Sequence, residues 1–128
     1  MRLLLDTHII LWSQIWPRKL SAEAVRLISD EANDLLFSTV TLIEVAIKHS
    51  LGRKDFEVDS RELRRNLLEN GYQELPVLGE HACAVGDLPP IHKDPFDRLL
   101  VAQALTEGVT LLTSDAAVAA YGGVVRRV

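Results

Sequence analysis

Apolar residues along this chain fall into two patterns. Leu3-Leu4-Leu5, Leu35-Leu36-Phe37 and Val109 to Leu112 (with Thr110 inside it) are short runs closed by polar residues, the signature of strands buried on both faces. Between them apolar positions return every three or four residues, as on helices with one buried side. Asp6 or Thr7 is placed to cap a helix that runs to about Trp16 and stops at Pro17. Ser21 caps a second, with Ala22, Val25, Leu27 and Ile28 on its apolar side. Thr41 opens a third, through about Leu51, which Gly52 ends. Asp59 or Ser60 opens a fourth, ending near Asn70-Gly71. Tyr72 to Val77 is a strand weakened by Pro76, and Glu80 to Val85 a short helix. Asp87 to Pro95 forms a loop, Asp94-Pro95 starts a helix through about Thr106, and Gly108 ends it. Ser114 or Asp115 caps a last short helix, and Gly122-Gly123 leads to a strand at Val124-Val125.

Strands alternating with helices predict an α/β fold, with a mainly parallel sheet of four to five strands between helical layers. In such sheets ligands bind beyond the carboxyl ends of the strands, and four acids fall there. Asp6 follows the first strand and Asp115 the fourth. Glu44 lies in the first turns of the helix after the second. Asp97 opens the helix that runs antiparallel into the fourth strand, so its start lies near the same edge. Each acid also has a local explanation. Asp6 and Asp115 fit helix N-caps, Thr41-Leu42-Ile43-Glu44 fits a capping box, and Asp97 suits the positive end of a helix.

Together the four are harder to explain locally. Like charges ~4 Å apart repel by about 4 kcal/mol per pair at an effective dielectric near 20. Four clustered carboxylates therefore take up protons or bind a cation. Hard oxygen donors favour Mg²⁺ or Mn²⁺, and no Cys/His spacing supports zinc. Such a centre suits phosphodiester hydrolysis.

Composition changes this picture little. With 128 residues, 48% hydrophobic and 25% charged, the chain is expected to be one ordered domain over residues 1–128. No apolar run is long enough to span a bilayer, no leader is visible, and the lone Cys83 cannot form an internal disulfide; a cytoplasmic protein is expected. The net charge of −4 argues mildly against a nucleic-acid partner, unless the acids are neutralised and the bases lie elsewhere.

Leu4-Leu5-Asp6-Thr7-His8, the Ser38–Lys48 stretch around Glu44, His92-Lys93-Asp94-Pro95-Phe96-Asp97-Arg98-Leu99-Leu100 with Ala102-Gln103-Ala104, and Leu112-Thr113-Ser114-Asp115 occur in this order. The series resembles the PIN-domain nucleases, and among them the VapC-type toxins of bacterial toxin–antitoxin systems. The resemblance implies a PIN-like α/β/α sandwich and Mg²⁺- or Mn²⁺-dependent RNA cleavage. It also implies a homodimer and a cognate antitoxin. Asp6, Glu44, Asp97 and Asp115 match the family's acidic quartet, as catalytic and metal-binding residues.

Around them, Asp94 is read as a helix cap rather than a further acid of the site. Lys48 is an intrahelical partner of Glu44 or a contact for a substrate phosphate, and Arg98 either orients a carboxylate or forms a surface ion pair. Thr113 and Ser114 hydrogen-bond an acid or simply end a strand. His8 and His92 are structural or touch the site. Arg53, Lys54, Arg61, Arg64 and Arg65 are a solvated face or an RNA-backbone contact, and Trp12 and Trp16 pack on one helix. Two other functions compete: a phosphatase with an aspartyl nucleophile, which lacks the usual second Asp because His8 stands there, and a non-catalytic RNA- or protein-binding domain.

Overall fold

A computed structural model describes residues 1–128. The chain runs β1 (Arg2–Leu5), α1 (Thr7–Gln14), α2 (Ala22–Ser29), β2 (Asp34–Ser38), α3 (Thr39–Ser50), α4 (Ser60–Glu69), β3 (Gln73–Leu75), α5 (Gly79–Ala84), α6 (Pro95–Glu107), β4 (Thr110–Thr113), α7 (Ala116–Ala119) and β5 (Val125–Arg127). The five strands form one sheet in the order β3-β2-β1-β4-β5. All pairs are parallel, Leu4 facing Leu36 on one side and Leu111 on the other.

Alternation along the strands divides the apolar side chains between two cores. Leu3, Leu5, Phe37 and Leu112 point to one face and pack against Ile9, Ile10, Leu27, Val45, Leu63 and Leu67 from α1, α2, α3 and α4. Leu4, Leu36 and Leu111 point to the other, against Leu100, Val101 and Ala104 of α6 and Val118 of α7. This explains the unbroken apolar triplet of β1: a strand covered on both faces has no solvent side.

Boundaries differ from the sequence reading in places. Helix α3 starts at Thr39, not Thr41, because Ser38 takes the cap and its hydroxyl accepts the Val40 N–H at 3.0 Å. The Thr41–Glu44 capping box therefore does not form. Helix α1 ends at Gln14, which leaves Trp16 outside it and 38% exposed. Val25 points outward from α2 at 45% exposure, while Ala24 and Leu27 face the core. Gly108 caps α6 with φ +67°, a left-handed conformation glycine adopts without strain. No helix is long and apolar enough to cross a membrane.

Candidate functional site

β1 is the point from which the sheet winds in two directions, to β2 on one side and β4 on the other. The crevice at its carboxyl end is where a parallel α/β sheet binds ligands. Asp6 stands at that end, only 3% exposed. Its Oδ1 accepts the Ile9 N–H at 2.9 Å, capping α1. Its Oδ2 accepts the Thr113 hydroxyl from the end of β4 at 2.5 Å. The cap reading and the site reading of Asp6 describe one geometry. Burial pushes its carboxyl up to about 6, against the opposing pull of these two hydrogen bonds, and the charge of Asp97 adds to the rise.

Asp115 caps α7 by accepting the Ala117 N–H at 2.7 Å, while its own N–H donates to Thr113 Oγ1 at 3.0 Å. Thr113 thus ties two acids to one strand end. Asp97 lies in the first turn of α6, with Asp94 as the cap; Asp94 Oδ1 accepts the N–H groups of Phe96 and Asp97 at 2.8 and 3.1 Å. Oxygens of Asp97 and Asp115 and a ring nitrogen of His92 lie within 4.8 Å of one another. His92 Nε2 is 2.8 Å from Asp97 Oδ2.

Glu44 reaches the group from α3. The Thr7 hydroxyl donates to its Oε1 at 2.6 Å, and Thr7 Oγ1 is 3.0 Å from Thr41 Oγ1. Burial raises the pKa of Glu44, with further contributions from the charges of Asp97 and Asp94. Asp97 is raised for the same first reason, and by Asp94 and Asp115. Oxygens of Asp97 and Asp115 thus come within 4.8 Å of each other, while Asp6 and Glu44 are linked to them through the charge of Asp97, which bears on both and is itself raised by that of Asp115.

Several side chains behave differently from expectation. Lys48 makes no ion pair with Glu44; its Nζ lies 5.6 Å from the Phe56 ring centre. Arg98 orients no carboxylate. Its Nη1 donates to the carbonyls of Pro89 and His92 and to the Tyr121 hydroxyl, and its Nη2 to the Val85 carbonyl. His8 is exposed, with its ring 6.0 Å from that of Trp12. Among the bases, Arg53 pairs with Asp55 and Arg64 with Glu74. Thr7, Thr41 and Tyr121 were not legible as site residues. Thr7 and Thr41 carry the only available signal, hydroxyls in otherwise apolar, buried surroundings.

A carboxylate-rich centre in which Asp6, Glu44 and Asp97 are shifted toward protonation fits a hard divalent cation, which would supply the missing positive charge. A second acid–histidine group, Glu80, His81 and Glu107, fits less well. The buried His81 accepts the Leu78 N–H on Nδ1 at 2.9 Å, so a neutral ring carries its proton on Nε2 and has no lone pair to offer there. A cleft of about 410 Å³ between α1 and α4 is lined by residues that include Trp16, Lys54 and Asp59 and holds none of the quartet.

A family model of the PIN domain matches residues 3–124. The fold is similar to that of VapBC2 from Rickettsia felis bound to a DNA fragment from their promoter, with TM-score 0.72 and 15% identity over 99% of this chain and 98% of that one. It is also similar to VapBC-1 from nontypeable Haemophilus influenzae, with TM-score 0.62 and 19% identity over 94% and 92%. A third similar structure is FitAcB from Neisseria gonorrhoeae, with TM-score 0.65 and 19% identity over 96% and 95%. No curated protein matches the chain.

Proposed function

Since the chain belongs to the PIN-domain family of nucleases, we propose that it is a metal-dependent endoribonuclease, the toxin of a toxin–antitoxin pair, with Asp6, Glu44, Asp97 and Asp115 as its catalytic, metal-holding quartet. The observation that carries this reading is that four acids from four separate segments, at or just beyond the carboxyl ends of the strands, are linked through their charges, with the pKa values of Asp6, Glu44 and Asp97 all raised. Proteins do not hold such a group together without a counter-charge unless stability is sacrificed for function.

Mg²⁺ or Mn²⁺ held by these carboxylates would polarise the scissile phosphate and make a bound water more acidic. The protein's own side chains supply the rest. Ile9 N–H and Thr113 fix the Asp6 carboxylate. Thr7 fixes that of Glu44, and the Asp94 cap sets the first turn that carries Asp97. Glu44, half-buried and shifted toward protonation, is suited to take the proton of the attacking water. Lys54, Arg61 and Arg65 have no carboxylate within ion-pair distance and are available to the RNA backbone.

The toxin assignment rests on the motif resemblance together with the fold shared with the VapBC structures. The partners are RNA, a cognate antitoxin and a second copy of the chain. Ile43, Ile47 and Leu51 stand exposed four residues apart along and just past α3, at 46%, 46% and 64%, an apolar stripe that a second copy would cover. A phosphatase using Asp6 as nucleophile is disfavoured, because the second acid that such a site commonly places two residues on is His8 here.

The test is cleavage of defined RNA substrates with Mg²⁺ or Mn²⁺. Activity is expected to vanish in EDTA, return with excess metal, and fall more than about a hundred-fold in Asp6→Asn and Asp97→Asn, beyond the 10–100-fold typical of residues behind a metal's direct ligands. Activity that persists in EDTA overturns the metal mechanism. Hydrolysis of small phosphomonoesters without RNA cleavage overturns the nuclease reading.

A further inference from the structure

His92 lies outside the acidic quartet, yet the structure fixes it beside Asp97. Both its backbone groups are tied down. Its N–H donates to the Tyr121 hydroxyl at 3.2 Å, and its carbonyl accepts from Arg98 Nη1 at 3.3 Å. Arg98 donates again to the Val85 carbonyl at 3.0 Å and the Pro89 carbonyl at 3.2 Å, and to the Tyr121 hydroxyl at 3.1 Å. One guanidinium therefore staples the segment between α5 and α6 at three carbonyls, using donors set in a rigid fork. The outcome is that the imidazole, 21% exposed, sits against Asp97 and within reach of Asp115.

Resting on the metal-centre reading above, we propose that His92 is a further metal ligand, adding one imidazole nitrogen to the carboxylates and shifting the site's preference from Mg²⁺ toward Mn²⁺. Three observations carry this. First, His92 Nε2 and Asp97 Oδ2 are 2.8 Å apart, close to the separation of about 2.9 Å between neighbouring ligands of an octahedral ion with bonds of about 2.0–2.1 Å. Second, the ring's Nδ1 has no protein partner, while Nε2 faces the acids. A neutral ring can then keep its proton on Nδ1 and present the Nε2 lone pair, the option His81 lacks because its Nδ1 is already an acceptor. Third, the hydrogen bonds with Arg98 and Tyr121 involve only the backbone of His92, so that Asp97 is the one side chain that engages its ring. Both ions take carboxylate oxygen and water, but Mn²⁺, a first-row transition ion, accepts an imidazole nitrogen more readily than the harder Mg²⁺, which dehydrates reluctantly and holds to oxygen.

Mn²⁺ binding distinguishes this from a plain hydrogen bond to Asp97. The protein is loaded with Mn²⁺ and examined by pulsed electron paramagnetic resonance for modulation from a directly bound ¹⁴N, alongside calorimetric titration with Mn²⁺ and with Mg²⁺. His92→Gln keeps an N–H donor at the reach of Nε2 but offers no imidazole. The wild-type protein should show the nitrogen signal. The variant should lose it, and its Mn²⁺ affinity should fall about tenfold or more, with a smaller change for Mg²⁺. A wild-type spectrum without ¹⁴N coupling, or an unchanged Mn²⁺/Mg²⁺ ratio in His92→Gln, overturns the proposal and leaves the carboxylate centre standing. Failure of the wild-type protein to bind Mn²⁺ at all overturns the metal centre, and the ligand role of His92 with it.

Discussion

At the scale of single residues, Asp6 carries two duties whose energies oppose. It caps α1 and ties β1 to β4, yet it is an acid buried to 3% exposure. Its pKa in the fold is about 6, against 3.8 ordinarily, with burial as the main cause. The folded state thus holds this proton more tightly than the unfolded chain does, so metal-free stability falls as pH rises between 3.8 and about 6. A shift of that size corresponds to about 3 kcal/mol. Glu44 and Asp97 shift in the same direction. Asp6→Asn keeps an acceptor for Ile9 N–H and removes the charge. It is expected to be more stable than wild type at pH 7 without metal, by up to about 3 kcal/mol, and equal to it near pH 4, while losing catalysis. Urea denaturation of both proteins at the two pH values checks this, and a variant no more stable at pH 7 refutes it. The placement of the four acids at strand and helix ends was legible because each borders an element whose type is written in the apolar pattern. Their supporting hydroxyls were not. Thr7 and Thr41 meet across 34 residues, and nothing local marks a threonine that will find a distant partner.

At the scale of elements, the caps decide which way the functional side chains face. Asp94-Pro95 was readable as a helix start, and the structure forms that cap with two N–H groups on one carboxylate oxygen. The start of α3 was misread because Ser38, Thr39 and Thr41 all suit a cap and the apolar spacing does not choose between them. Ser38 prevails by being satisfied twice, accepting from Val40 N–H and donating to Gln103 Oε1 of α6 at 2.5 Å. That moves Thr41 inside the helix and releases Glu44 from the capping box to the site. The two variants of Asp94 separate a cap from a ligand. Asp94→Ala should cost about 1 kcal/mol of stability and lower RNA cleavage by loosening the first turn that carries Asp97. Asp94→Asn retains the cap and should keep both stability and most of the activity. If Asp94→Asn were as inactive as Asp6→Asn, Asp94 would belong with the quartet; thermal melts and cleavage rates of the two variants decide.

At the scale of the whole molecule, parallel strands alone bring their carboxyl ends to one edge, whatever the order in which they lie. The sequence pattern gives strand number and direction, because buried runs and helical crossovers are local features. The order β3-β2-β1-β4-β5 depends on which faces meet after collapse, which no single segment encodes. This order sets β1 and β4 side by side, so Asp6, Thr113 and Asp115 share one crevice between the two cores and α6 delivers Asp97 to it. Folding therefore assembles a concentration of negative charge in a chain already at −4, and the same crevice exists only in the folded state. A cation that binds there binds the native protein alone and stabilises it by mass action. At a hundred times its dissociation constant the gain is about 2.7 kcal/mol, roughly a 10 °C rise in Tm for a domain of this size. Mn²⁺ or Mg²⁺ should thus raise the melting temperature of the wild-type protein, EDTA should reverse the rise, and Asp97→Asn should shift little with added metal because it removes the acid on which the other charges bear. Scanning calorimetry across a metal series measures this without any RNA. Equal metal-induced shifts in wild type and Asp97→Asn would mean that the stabilising ion binds away from this edge.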